Sequence, residues 1–254
     1  MNLPTTPSFR LDSRRALVTG ASSGIGLAAA VALAEAGAHV LMAARGLDKL
    51  EAAVAAVRER GHSAEARVMD VADVRMLGAH LDAIGPLDVL VNSAGIARHT
   101  PAVDTTPEDY DAVSDINVRG AYFLSVGVAK GMIAAGLKGS IINVTSQMGH
   151  IGGIDRAVYC GTKHAVEGFT KAMAIEFGPH GIRINTLAPT FIRTPLAEQT
   201  LANPERMAWV ESKIKLGRIG DMEDIMGPVV FLASGASALV TGTSLVVDGG
   251  WTAG

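Results

Sequence analysis

Cysteine is all but absent from the chain: of 254 residues only Cys160 carries a thiol. One cysteine forms no intrachain disulfide and builds no cysteine-rich zinc site. That usage suits a reducing compartment, so a cytoplasmic location is expected. Aromatic residues make up 4%, too few for a stacked aromatic cage. An excess of basic charge is missing too. Lys and Arg number 22 against 25 Asp and Glu, a net charge of -3, so no nucleic-acid partner is expected. Long hydrophobic runs are also lacking. The longest, residues 27–44, is broken by Glu35, Gly37 and His39, and reads as helix, turn and strand. Residues 1–10 hold no apolar core of the secretory kind. No membrane partner is expected. The seven histidines form no H-E-x-x-H, and no metal is expected.

What is present is an ordinary folded composition, with 48% hydrophobic and 19% charged residues. Short β-branched runs alternate with helical segments. Strands are predicted at 15–19, 39–43, 64–69, 87–91, 140–144, 182–187 and 244–247. Helices are predicted at 24–36, 47–60, 107–135 and 156–177. Several strand runs are apolar on successive residues, as in strands buried on both faces. This βαβ alternation predicts an α/β fold, a Rossmann-type doubly wound parallel sheet. No linker or solenoid repeat interrupts it, so residues 1–254 read as a single domain. The least regular part is about 190–220, between the sixth and seventh strands, where a lid or binding loop is expected.

The first strand ends in Thr19-Gly20-Ala21-Ser22-Ser23-Gly24-Ile25-Gly26. A glycine turn feeding a helix N-terminus suits a pyrophosphate: small residues admit the backbone, and free N–H groups favour negative charge. The candidate contacts are Gly20, Ser22, Ser23, Gly24, Ile25 and Gly26. The same residues satisfy G-x-S-x-G, the nucleophile elbow of α/β-hydrolases, with Ser22 as nucleophile. An elbow needs earlier strands to build the sheet beneath it, and this one follows the first strand.

Tyr159 and Lys163 stand four apart in a predicted helix, so phenol and ammonium share a face. A nearby cation is expected to lower the phenol pKa and make it an acid–base group. Ser146 follows the fifth strand, and Asn92-Ser93-Ala94-Gly95 follows the fourth. These are carboxyl ends of strands, where doubly wound sheets bind ligands.

Taken in order, the TGASSGIG turn, NSAG at 92–95, Asn117, Ser146 and YCGTK at 159–163 resemble the short-chain dehydrogenase/reductase family over nearly the whole chain. The resemblance implies a three-layer αβα sandwich with strand order 3-2-1-4-5-6-7. It implies a nicotinamide-dependent oxidoreductase moving a hydride between its cofactor and a secondary alcohol or ketone. The implied catalytic set is Asn117, Ser146, Tyr159 and Lys163. Ser146 would orient the substrate oxygen and Tyr159 would donate or accept its proton. Lys163 would hold the cofactor ribose and tune the tyrosine, and Asn117 would anchor a relay water. Asn92, Ala94, Gly95, Asp70, Val71, Pro189, Ile192 and Thr194 join the implied cofactor contacts. A homotetramer is implied, with the DGGWTAG end (248–254) at a subunit contact. The family usually has Pro-Gly after the sixth strand, where this chain has Pro189-Thr190. That change bears on the pocket more than on the reaction type.

The second strand ends Ala43-Ala44-Arg45-Gly46. Ala44 stands where an NAD-selective acid would sit, and the guanidinium of Arg45 suits a 2′-phosphate. NADP(H) is expected to be preferred, with NAD(H) possible. Candidate substrate contacts are Gln147, Met148, Gly153 and Thr190. Gln147 and His150 lean toward a sugar, polyol or small polar ketone; Met148 and Phe191 lean apolar. A non-catalytic dinucleotide sensor would show a damaged catalytic set, and this set is complete.

Overall fold

The computed structural model describes the backbone of residues 1–254 and every side chain except that of Gln199. Seven strands carry the fold: β1 (Arg15–Thr19), β2 (His39–Ala44), β3 (Ala64–Val68), β4 (Val89–Asn92), β5 (Ser140–Val144), β6 (Arg183–Pro189) and β7 (Ser244–Val247). They form one sheet in the order β3-β2-β1-β4-β5-β6-β7. Every pairing is parallel. The expected strand order and doubly wound architecture are both observed.

Successive strand residues point to opposite faces, and each face has its own helices. On one face Val18, Val40, Met42, Val91 and Ile142 pack under α1 (Gly24–Glu35), α2 (Leu47–Glu59) and α9 (Glu223–Ala233). On the other, Leu17, Leu41, Leu90, Ile141 and Ile184 pack under α3 (Leu77–Ile84), α5 (Ala121–Ala134) and α6 (Ala157–Phe177). Burial on both sides explains why these strands read as unbroken apolar runs.

The predicted helix 107–135 differs. It divides into α4 (Pro107–Ser114), a single π-helical turn at Asp115–Gly120, and α5. A π turn inserts one residue into the ladder and rotates the side chains that follow. Gly120 permits the close packing there, since a Cβ on it would lie 2.6 Å from the Val71 carbonyl oxygen.

The region expected to be irregular is largely helical. Its helices are α7 (Pro195–Leu201) and α8 (Pro204–Lys213). Each starts with proline at the first turn behind a polar cap: Ala197 N donates to Thr194 Oγ1 at 3.3 Å, and Arg206 N to Asn203 Oδ1 at 3.0 Å. No helix of the described residues is long and apolar enough to cross a membrane.

Leu90 lies fully buried at the sheet centre. Leu90→Ala is expected to cost about 2–5 kcal/mol in urea unfolding, because the rigid strands around it cannot close the cavity.

Candidate active site

The strand order reverses between β1 and β4, which opens a crevice at the carboxyl ends of the strands. Two turns are clamped there. Thr19 Oγ1 accepts from Ser93 N and Ala94 N, each at 3.2 Å. Gly20 has φ +66°, and a Cβ on it would meet the Ala94 backbone at 3.0 Å. A Cβ on Gly26 would overlap the Gly20 carbonyl oxygen. The turn therefore holds its shape only with glycine at these places.

The resulting cleft has a volume of about 380 Å³. Gly20, Ser22 to Gly26, Arg45, Asp70, Val71, Ala94, Gly95, Tyr159, Lys163 and Thr194 all line it. It runs from the end of β2 across β1 and β4 to β5 and α6. The first turn of α1 carries no acidic residue, and its cap Ser23 makes no side-chain hydrogen bond to it. Its N–H groups face the cleft unopposed, as a pyrophosphate requires. A long cleft with an anion-favouring centre and a cation, Arg45, at one end fits a dinucleotide.

At the other end the acid–base residues converge. Lys163 is buried, and its Nζ donates to the Val144 carbonyl oxygen at 2.9 Å. The ammonium lies 5.5 Å from the Tyr159 ring centroid. Ser146 accepts from Met148 N at 3.1 Å and donates to Gln147 Oε1 at 2.8 Å, which fixes its hydroxyl beside Tyr159. Asn117 sits inside the π turn. Its Oδ1 accepts from Ile96 N and its Nδ2 donates to the Ile96 carbonyl, both at 2.9 Å. A second, smaller cavity of about 100 Å³ adjoins Ser146 and Tyr159 and is floored by Thr190 and Phe191.

Comparison with known proteins agrees with this geometry. The family model described as enoyl-(acyl carrier protein) reductase matches residues 20–252. The D-erythrulose reductase of Gallus gallus is 40% identical over 245 residues, 96% of this chain and 98% of that protein. The gluconate 5-dehydrogenase of Gluconobacter oxydans (strain 621H) is 39% identical over 248 residues, 96% of each chain. A crystal structure of a gluconate 5-dehydrogenase from Burkholderia cenocepacia J2315, in complex with NADP and tartrate, superposes with a TM-score of 0.93 at 38% identity, covering 97% of this chain and 98% of that one. The chain belongs to the short-chain dehydrogenase/reductase family. It is a nicotinamide-dependent oxidoreductase.

Within this dehydrogenase fold some expected contacts fall elsewhere. Asn92 does not line the cleft. It is buried, and its amide donates to Ala121 O, Ser125 Oγ and Asn143 Oδ1. It ties β4 to α5 and β5. Pro189 and Ile192 line the smaller cavity, not the dinucleotide cleft. Thr194 lines both. Met148, Gln147 and Thr190 line the smaller cavity, whereas Gly153 borders a further cavity behind it. His150 turns away to Ser244 Oγ at 2.9 Å. Cys160 is a buried thiol, and burial pushes its pKa up. Ser22 has no hydrogen bond to a histidine among the described residues, so the hydrolase alternative lacks its base. Trp251 of the DGGWTAG end is buried within its own chain, stacked on Phe191 with centroids 5.9 Å apart.

The tyrosine pKa moves opposite to the expectation. Burial raises it above the ordinary phenol value, and the Ser146 hydroxyl pulls it down by less. Lys163 is itself shifted, to about 8, because burial penalises its charge more than Glu167 supports it. Sequence reading missed Thr19, Lys49, His99 and Arg156. Thr19 stood inside the quoted motif without a role. Arg156, three before Tyr159, could have been flagged as a cation one turn from the acid–base pair.

An unfolded lysine titrates near 10.4, and Lys163 in the fold near 8. Between these values the unfolded chain holds the proton and the folded chain does not. Protonation thus favours unfolding, and the cost is fully present below about pH 8. Lys163→Met is expected to raise Tm at pH 7 by about 2–6 °C, with the gain shrinking toward pH 9.5. Calorimetry of both proteins at the two pH values checks this.

Proposed function

We propose that this chain is an NADP(H)-preferring reductase or dehydrogenase of small hydroxylated ketones and alcohols, with Tyr159 as general acid–base. The whole chain would act as one catalytic domain, with residues 190–220 as the substrate loop. The observation that carries the reading is the convergence of Tyr159, Ser146 and Lys163 where the dinucleotide cleft meets the smaller cavity. Relatives named for erythrulose, xylulose, threitol and gluconate support the substrate range.

A bound nicotinamide supplies or accepts the hydride. The protein's own residues handle position and protons. Ser146 would turn its single O–H proton from Gln147 Oε1 to the substrate oxygen. Tyr159 is a phenol and so protonated at neutral pH, and burial raises its pKa further, which suits proton donation during reduction. Lys163, titrating near 8, can take up and release a proton beside it. Asn117 pins Ile96, which shapes the wall of the cleft next to Gly95, and would anchor the relay water that serves Lys163. Tyr159→Phe is expected to lower kcat by at least about 10²-fold with cofactor affinity within a few-fold, read by steady-state kinetics and by NADPH fluorescence titration.

Arg45 is exposed at the far end of the cleft with Lys49 nearby, and Ala44 leaves no acid to bind a ribose 2′-hydroxyl. Neighbouring structures that hold NADP support the preference. NAD(H) would bind more weakly. The variant Ala44→Asp/Arg45→Ala should reverse the order of NADPH and NADH affinities, by about tenfold or more in each direction. Equal affinity of the wild type for both cofactors would refute the assignment of Arg45. A cytoplasmic homotetramer completes the proposal; light scattering at micromolar concentration tests the assembly.

A further inference from the structure

The relatives divide into those named for neutral sugars and polyols and those named for gluconate, an acid. The smaller cavity carries a feature that separates the two. Among its described lining residues Arg156 is the one formal charge, and no carboxylate lines it. We infer that Arg156 makes this site select substrates bearing a carboxylate, of the keto-acid and hydroxy-acid class, over neutral ketoses and polyols. The inference rests on the Tyr159 reading above.

Arg156 is half-buried and makes no ion pair among the described residues. Neutral groups hold it in place. Nη1 donates to His99 Nε2 at 2.8 Å, and Nη2 to Thr200 Oγ1 at 3.2 Å. The guanidinium lies 5.3 Å from the centroid of the Phe191 ring. His99 is held neutral, its pKa lowered to about 4 by burial and then by Arg156 itself. A guanidinium partly out of water and without a counter-ion is costly, and an incoming anion relieves that cost. Asp155 and Glu205 border the cavity on the other side of Arg156, together with the cation Arg206. Neither acid comes within ion-pair range of Arg156.

The placement also opposes helix stability. Arg156 is the N-cap of α6 and supplies no side-chain cap bond, and the first turn has no acidic residue. A cation at the positive end of a helix is the wrong sign for the dipole. An anion bound there would satisfy both.

Two orphaned polar atoms complete the argument. His99 Nδ1 and Thr190 Oγ1 are buried without a hydrogen-bond partner, and both residues line the same cavity. Because Nε2 of His99 accepts from Arg156, Nδ1 carries the proton of the neutral ring and is a donor. Thr190 adds a second unused hydroxyl to the same lining. A cation and two unused donors around one small space match an oxygen-rich anion better than a neutral chain.

The test compares a six-carbon ketoaldonate with the ketohexose of the same length, using NADPH and wild type, Arg156→Gln and Arg156→Lys. Wild type should favour the acid in kcat/KM by at least about tenfold. Arg156→Gln should raise KM for the acid about 10–100-fold, with kcat and the ketohexose kinetics within a few-fold. Arg156→Lys should recover part of the loss. The corresponding aldonate should raise the Tm of the NADP-loaded wild type and not of Arg156→Gln. A wild type that reduces the ketohexose as well as the acid overturns the inference and leaves the Tyr159 reading intact. Equal loss on both substrates in Arg156→Gln, or an aldonate shift that survives it, also overturns it. No turnover of either substrate and no aldonate shift would defeat both the inference and the reading beneath it.

Discussion

The hydrogen bond from the buried Lys163 ammonium to the Val144 carbonyl oxygen, at 2.9 Å, is the contact on which the site depends. It fastens α6 to the end of β5, and so sets Tyr159 one turn earlier beside Ser146, two residues past Val144. One residue therefore fixes the helix against the sheet and supplies charge to the reacting end of the cleft. The fold holds that ammonium at a cost, seen in the fall of its pKa to about 8. Glu167, one turn later, limits the cost. Its carboxylate accepts from Thr145 Oγ1 at 2.6 Å, Thr186 Oγ1 at 2.8 Å and Ser244 Oγ at 3.2 Å. Those hydroxyls belong to the end of β5, to β6 and to β7, so the carboxylate spans three strands. A buried acid held by three donors is fixed in place, and it stabilises the lysine charge through a rigid frame.

The clamp at the other turn follows similar logic. Thr19 uses one hydroxyl oxygen to receive two backbone N–H groups of the β4 turn. Glycine at positions 20 and 26 lets the turns approach that closely. Asn92 and Asn117 then hold what flanks the clamp, one from inside the sheet and one from the π turn. Polar side chains at strand ends thus serve more often to set backbone than to touch a ligand. That explains why Asn92, plausible as a cofactor contact by position alone, lies under the cleft and not in it.

The strands were legible because burial on both faces writes a continuous apolar run, and a run such as 140–144 survives without tertiary knowledge. Their order was reached through family resemblance, since no run names its neighbour. The helices at 195–201 and 204–213 were readable in principle: Thr194-Pro195 and Asn203-Pro204 are both cap-plus-proline starts. Their shortness and the lack of a clear apolar stripe hid them. The π turn around Asn117 was not readable, because one inserted residue alters the hydrogen-bond ladder without altering composition. The direction of the tyrosine shift was not readable either. A charge four residues away is visible in sequence, whereas burial, the larger effect here, comes from the assembled cleft.

Local conflicts gather on one side of the molecule. Away from the carboxyl ends of the strands, pattern and packing agree: alternating faces, apolar helices and paired backbone. Around the cleft sit a buried ammonium, a helix that begins at a cation, and two orphaned donors. Such a set is destabilising in the free protein. A fold tolerates it where the missing partner arrives from outside. Arg156, His99 and Thr190 all line one small cavity next to Tyr159, so the absent counter-charge and acceptors belong in one place. A single anionic, oxygen-bearing molecule meets all three deficits at once, whereas a neutral ketose satisfies the donors and leaves the guanidinium charge unanswered.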